Sequence, residues 1–213
     1  MMKARTMILV LVAVMSLASM ASAQIVLWDQ TAGYESWSMG FFNQAAGAPP
    51  FGAAQYTCND VVVPAGGWDI NSVAVYYDGF DPSWAGVVTN AVLFIEPKTG
   101  STPTGDPTTG TAVTVAATIL GNGFMEVRAS GLAVNLAEGE YWLGLTPTAP
   151  NTNNIHVSVA GVGDDSPTYD AYGFPMPMWM AWSPGLDGAM LIEGQTAVAN
   201  ESVTLDEVKS LYR

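Results

Sequence analysis

Hydrophobic and polar residues alternate along most of this chain with a period of two, and the stretch Trp68–Asp78 sets the pattern. Trp68 and Ile70 fall on one face, then Val73, Val75 and Tyr77 alternate in the opposite phase. A phase slip of this kind predicts a β-bulge at Asn71-Ser72, because one extra residue flips which side chains face inward. Gly66-Gly67 before it predicts a tight turn. Further strands are expected at Ile25–Asp29, Thr57–Val63, Val87–Glu96, Thr111–Leu120, Phe124–Ala129, around Leu132–Leu136, Glu140–Thr146, around Ile155–Val159 and at Ala189–Glu193. Val87–Glu96 is apolar on both faces, which predicts a strand covered on both sides. In Glu140–Thr146, alternation puts Tyr141, Leu143 and Leu145 inward and Trp142 outward.

Gly121-Asn122-Gly123 marks a hairpin between two of these strands, since both residue types tolerate positive φ. The Thr/Pro/Gly-rich segment 97–110 has almost no apolar content and is expected to be an exposed, mobile loop. Residues 30–56 carry Tyr34, Trp37, Phe41, Phe42, Phe51 and Tyr56, either as a plug for one end of the core or as a ligand-contacting loop. Eight to ten short strands with Gly/Pro/Asn turns, and no helical period over 25–194, indicate an all-β fold. The expected form is a two-sheet antiparallel sandwich of jelly-roll type, which protects its edges without disulfides. From residue 195 the pattern changes. Thr204 and Glu207 have capping-box spacing, and Leu205, Val208, Leu211 and Tyr212 share one helical face, which predicts a short C-terminal helix. Nine or ten residues need a surface to lie against. That surface is either the protein's own domain or a sorting machinery that reads these four residues as a tag.

Residues 1–23 have the form of a signal peptide: Lys3 and Arg5, an apolar run from Met7 to Met20, and a small-residue exit at Ala21-Ser22-Ala23. The mature domain would then occupy 24–194, with a linker and tail over 195–213. That portion holds all 19 acidic residues but only Lys98, Arg128, Lys209 and Arg213 as cations, a net charge of −15. Such a body repels nucleic acid and anionic membrane, and self-associates only where divalent cations screen it. Cys58 is the one cysteine, so no internal disulfide framework holds the exported chain.

The segments ILWDQ, NDVVVPAGGWDINSVAVYYDGF, VNLAEGEYWLGL and GLDGAMLIEG carry a resemblance. Asp60, Val63, Pro64, Gly67, Trp68 and Ile70, and later Gly139, Tyr141, Trp142 and Leu143, stand where secreted bacterial choice-of-anchor and exosortase-sorted surface domains have their recurrent turn and core motifs. The chain resembles these domains over about residues 25–194. The resemblance implies a secreted or cell-surface β-sandwich and specifies no chemistry. The hydrophobic tail and basic end of an exosortase-type anchor are not part of the likeness.

Catalytic chemistry finds little to use. His156 is the one histidine, and no nucleophile elbow, zinc spacing or phosphate-binding glycine loop occurs, so no catalytic residue is expected. Two constellations remain. The acidic turn with Asp164, Asp165 and Asp170 is oxygen-rich enough to hold a structural calcium ion, or is a solvated loop. Trp179 and Trp182, in a Met- and Pro-rich stretch, together with an outward Trp142, offer flat faces for sugar rings, a protein interface, or a lid on the core. The expected function is a non-catalytic surface or extracellular-matrix module that binds itself or another envelope protein. A carbohydrate-binding module with structural calcium, engaging a surface glycan, is the alternative.

Overall fold

The computed structural model describes residues 24–32, 44–48, 53–78, 82–148, 156–157, 159–160, 167–170, 178–181 and 187–196. Within them the chain forms strands β1 (Ile25–Asp29), β2 (Gln44–Ala48), β3 (Ala53–Thr57), β4 (Asn59–Val63), β5 (Trp68–Asp78), β6 (Asn90–Pro97), β7 (Thr111–Ile119) and β8 (Met125–Leu136). There follow β9 (Gly139–Pro147), β10 (His156–Val157), β11 (Val159–Ala160), β12 (Pro167–Asp170), β13 (Trp179–Ala181), β14 (Asp187–Gly188) and β15 (Met190–Thr196). Two 3₁₀ turns, Pro82–Gly86 and Pro107–Thr109, complete the described secondary structure. The all-β class expected from periodicity is what the chain adopts.

The principal sheet is antiparallel and nearly closed into a barrel, in the order β1-β15-β5-β8-β7-β6-β9-β4, with β10 pairing the far end of β5. The bulge lies where the phase slip puts it: Ile70 pairs with Val134 and Ser72 with Ser130, leaving Asn71 opposite three residues of β8. Gly131 in that extra segment has φ +70°. The bulge therefore joins what the sequence reads as two strands, 124–129 and 132–136, into one. Gly67, at φ +79°, closes the turn before β5 with its N–H on the Pro64 carbonyl (3.0 Å). A side chain there would also press on the Leu136 carbonyl oxygen. The Gly121–Gly123 hairpin forms as expected, with Leu120 and Phe124 bonded across it (2.7 Å).

The barrel interior is filled by Val61 and Val63 of β4, Trp68, Ile70, Val73, Val75 and Tyr77 of β5, Ala91 and Leu93 of β6, Val115 of β7, Met125 and Val127 of β8, Leu143 and Leu145 of β9, and Met190 and Ile192 of β15, with Leu27 and Trp28 of β1 partly buried against it. Trp84 enters this core from the β5–β6 connection and is buried. It lies outside every alternating run, so periodicity does not mark it as core.

A second layer follows. Strands β2, β3, β12 and β13 make a four-stranded sheet, and its residues Ala54, Tyr56 and Trp179 pack with Cys58, Phe94 and Trp142 in a separate core. Strand β6 is covered on both faces, as expected, with Ala91 and Leu93 in the barrel and Phe94 in the second core. So is β9. Trp142 points away from the barrel, as alternation places it, but it is 1% exposed because the second layer covers it, which corrects the expectation of an exposed outward face. Gly144, on the same face, permits that cover, since a Cβ there would overlap the Thr57 carbonyl oxygen and crowd Cys58.

The barrel's open seam is bridged by a side chain. Asn59, at the start of edge strand β4, donates from Nδ2 to the Gly188 carbonyl (2.6 Å) and accepts the Gly188 N–H on Oδ1 (3.0 Å). A carboxamide presents the same donor–acceptor pair as a peptide group, so Asn59 stands in for a strand between β4 and β14.

Candidate functional site

Of the three tryptophans open to a platform, an interface or a lid, the fold brings Trp142 and Trp179 into one cluster, with their faces turned inward. Trp179 is 8% exposed, stacks obliquely on Phe94 (ring centroids 5.3 Å apart, 34° between planes) and donates from Nε1 to the Gly105 carbonyl (2.8 Å). Phe94 and Trp142 are held on the outer faces of β6 and β9, and Trp179 reaches them from β13. Of the readings open for these two residues, their burial matches the lid over a core. Trp182 lies outside the described residues, as do Asp164, Asp165, Leu205, Val208, Leu211 and Tyr212, and Asp170 is placed by its backbone alone, opposite Gln55. No group of three His, Cys, Asp or Glu side chains suited to a metal ion occurs among the described residues.

The Trp142 indole Nε1 is buried and has no hydrogen-bond partner among the described residues. Lys98 sits over the same ring, 4.9 Å from its centroid, and pairs with Asp60 and, at 4.0 Å, with Glu140. A cation over an indole face is attracted by the ring quadrupole, so Lys98 caps the edge of the second core.

A second ionic group lies on the outer face of the barrel. Arg128 of β8 bonds Glu126 (2.8 Å from Nε, 3.0 Å from Nη2), Ser72 (3.0 Å) and Glu193. Tyr76 donates to Glu126 (3.0 Å). The guanidinium of Arg128 holds the Glu126 carboxyl below its usual range against the opposing effect of burial, and Glu126 in turn raises Arg128. Both described cations are thus committed to internal carboxylates.

The 97–110 loop is largely exposed, as expected, and is tied to the body of the fold by side-chain hydrogen bonds. Pro103 and Pro107 are buried beneath it. Glu96 accepts from the Thr104 N–H (3.0 Å), the Thr104 hydroxyl (2.7 Å) and the Gly105 N–H (2.7 Å). Partial burial pushes Glu96 upward, but these bonds outweigh it and hold the carboxyl below its usual value. Asp106 caps the following 3₁₀ turn through Thr108 N (2.9 Å). The sequence signal for all of this was an acid at each end of a Thr-rich run, a pattern that serves equally well for a solvated loop.

Cys58 is 1% exposed, and burial, followed by the charges of Glu96, Asp60 and Asp187, pushes its thiol well above the usual range. It is an apolar packing residue of the second core. No helix among the described residues is long and apolar enough to cross a membrane.

No family model matches the chain, and neither the curated proteins nor the solved structures include a significant match.

Proposed function

We propose that this protein is an exported, non-catalytic surface or extracellular-matrix module that works by presenting a rigid acidic and hydroxyl-rich surface to other envelope components or to further copies of itself. The observation that carries this reading is the commitment of Lys98 and Arg128 to internal carboxylates. Among the described residues the exposed charges are then all acidic (Asp29, Asp106, Glu138 and Glu140), beside the pinned loop on which Thr99, Ser101, Thr104, Thr108 and Thr109 are exposed. The leader-like residues 1–23 and the resemblance to choice-of-anchor domains support the cell-exterior setting.

A body of this charge associates with its like only when divalent cations bridge or screen it. Light scattering of the purified mature chain is expected to show monomers in chelator and reversible assembly in millimolar calcium. Monomers under both conditions, with no retention on the producing cell's envelope, would refute the reading. A glycan array is expected to be blank. A specific sugar hit abolished by Trp182→Ala would replace this reading with a carbohydrate-binding one.

A further inference from the structure

Strand β7 changes partners along its length, and the change leaves an apolar groove. Residues Thr111–Thr114 pair with β6, whereas Val115–Ile119 pair with β8. The β7–β8 ladder stops at Val115 and Ala129, while β8 runs on to Leu136 beside β5. Between the parted strands lies a groove of about 640 Å³ lined by Leu93, Ile95, Val113, Leu132, Val134 and Leu136. Ile95, Val113, Leu132 and Val134 are only partly buried, and no charged side chain lines the groove. On the groove side, residues 131–136 have no strand partner among the described residues.

The chain itself leads to this place. Thr196, the end of β15, pairs with Trp68, and Trp68 pairs on its other side with Leu136 at the groove's rim. Two inter-strand steps, about 10 Å, separate the exit of β15 from the groove. Residues 197–203 reach about 23 Å when extended, more than twice that gap. The next nine residues carry Leu205, Val208, Leu211 and Tyr212 on one helical face and Asp206, Glu207 and Lys209 elsewhere. A helix of that length needs an apolar surface to form at all.

We propose that residues 204–212 seat this apolar face in the β6/β7/β8 groove of their own chain. A second copy is the weaker occupant, because like-charged bodies repel, whereas a short tether holds the segment at an effective concentration on the order of millimolar. The inference concerns only this contact and stands whether or not the surface-module reading does. It also sets a condition on any tag role for the four residues: they must leave the groove to be read.

The test uses the full mature chain, whose natural cysteine is buried and does not compete. Ala133→Cys in the groove is combined singly with Leu205→Cys, Val208→Cys or Leu211→Cys and oxidised under dilute conditions. At least one pair is expected to form an intramolecular disulfide about tenfold or more faster than the same tail cysteine with Val62→Cys, an exposed position on the far edge strand β4. Equal rates for the two partners, or cross-linked dimers alone, would overturn the proposal. Independently, hydrogen exchange at residues 131–136 is expected to quicken about tenfold or more in Leu205→Asp/Leu211→Asp. Unchanged protection there would also overturn it.

Discussion

Replacing Asn59 tests whether a single carboxamide closes the barrel seam. The side chain is 2% exposed and makes a donor and an acceptor bond to Gly188, a residue 129 positions away and itself buried. Asn59→Ala removes both bonds and leaves the Gly188 N–H and C=O facing a small cavity. Each buried polar group so stranded costs about 1–3 kcal/mol, with partial recovery if water enters, so a loss of about 2–4 kcal/mol is expected. For a domain of this size each kcal/mol moves the midpoint by about 2–4 °C, so Tm should fall by about 5–15 °C. Asn59→Asp is the sharper variant. It keeps an acceptor for the Gly188 N–H but loses the donor, and it places a carboxylate in a buried site, so it should be at least as damaging as alanine at neutral pH. Urea denaturation followed by tryptophan fluorescence reads the loss, with the slope of free energy on denaturant expected to stay constant. If Asn59→Ala unfolds within about 0.5 kcal/mol of the parent, the range usual for inert surface changes, the seam is held by something else and the reasoning fails.

Two further changes probe other parts of the architecture. Gly144→Ala should destabilise by about 1–3 kcal/mol or more, because its Cβ would force β9 away from the Thr57 carbonyl and open the second core. An unaltered melting curve would show that the two layers do not meet there. The lowered carboxyls of Glu96 and Glu126 stabilise the fold fully above their ordinary value of 4.5, and that contribution is lost as pH falls through their lower folded values. Stability should therefore decline below about pH 4.5, and Glu96→Gln should flatten part of the decline while raising proteolysis within 97–110 at neutral pH. A stability profile identical to the parent's, with no new cleavage, would remove Glu96 from the account.

Much of the fold was legible because burial on one face writes itself as alternation. The slip at Asn71, the Gly67 turn and the 121–123 hairpin are local events with local sequence causes. Trp142 was misjudged for the opposite reason. Alternation records which side of a strand a residue takes, not whether that side meets water. On β6 both faces were apolar, so double cover could be read. On β9 the outer face shows Glu140, Trp142 and Gly144, which looks like an exposed side until Gly144 is understood as room for a crossing backbone. The near-closure of the principal sheet depends on which strands pair over long distances. Nothing local distinguishes those pairings. The seam illustrates this, since Asn59 in the sequence is one polar residue before an apolar run. Trp84 was hidden because an aromatic among Pro, Ser and Gly resembles a turn residue, and only its approach to the barrel from the β5–β6 connection makes it core.

The pairing of β1 with β15 has a consequence for how this polypeptide comes into being. Among the described residues the earliest strand has its ladder only on the latest one, and β15 is also the link to β5. A chain synthesised N-terminus first must therefore carry β1 without this ladder until β15 has been made. Such wiring leaves β1 the last strand of the main sheet to be laddered, although β5, β8, β7, β6, β9 and β4 pair with one another within residues 59–147. The same wiring makes loss of the last few residues of β15 far more damaging than their small number suggests.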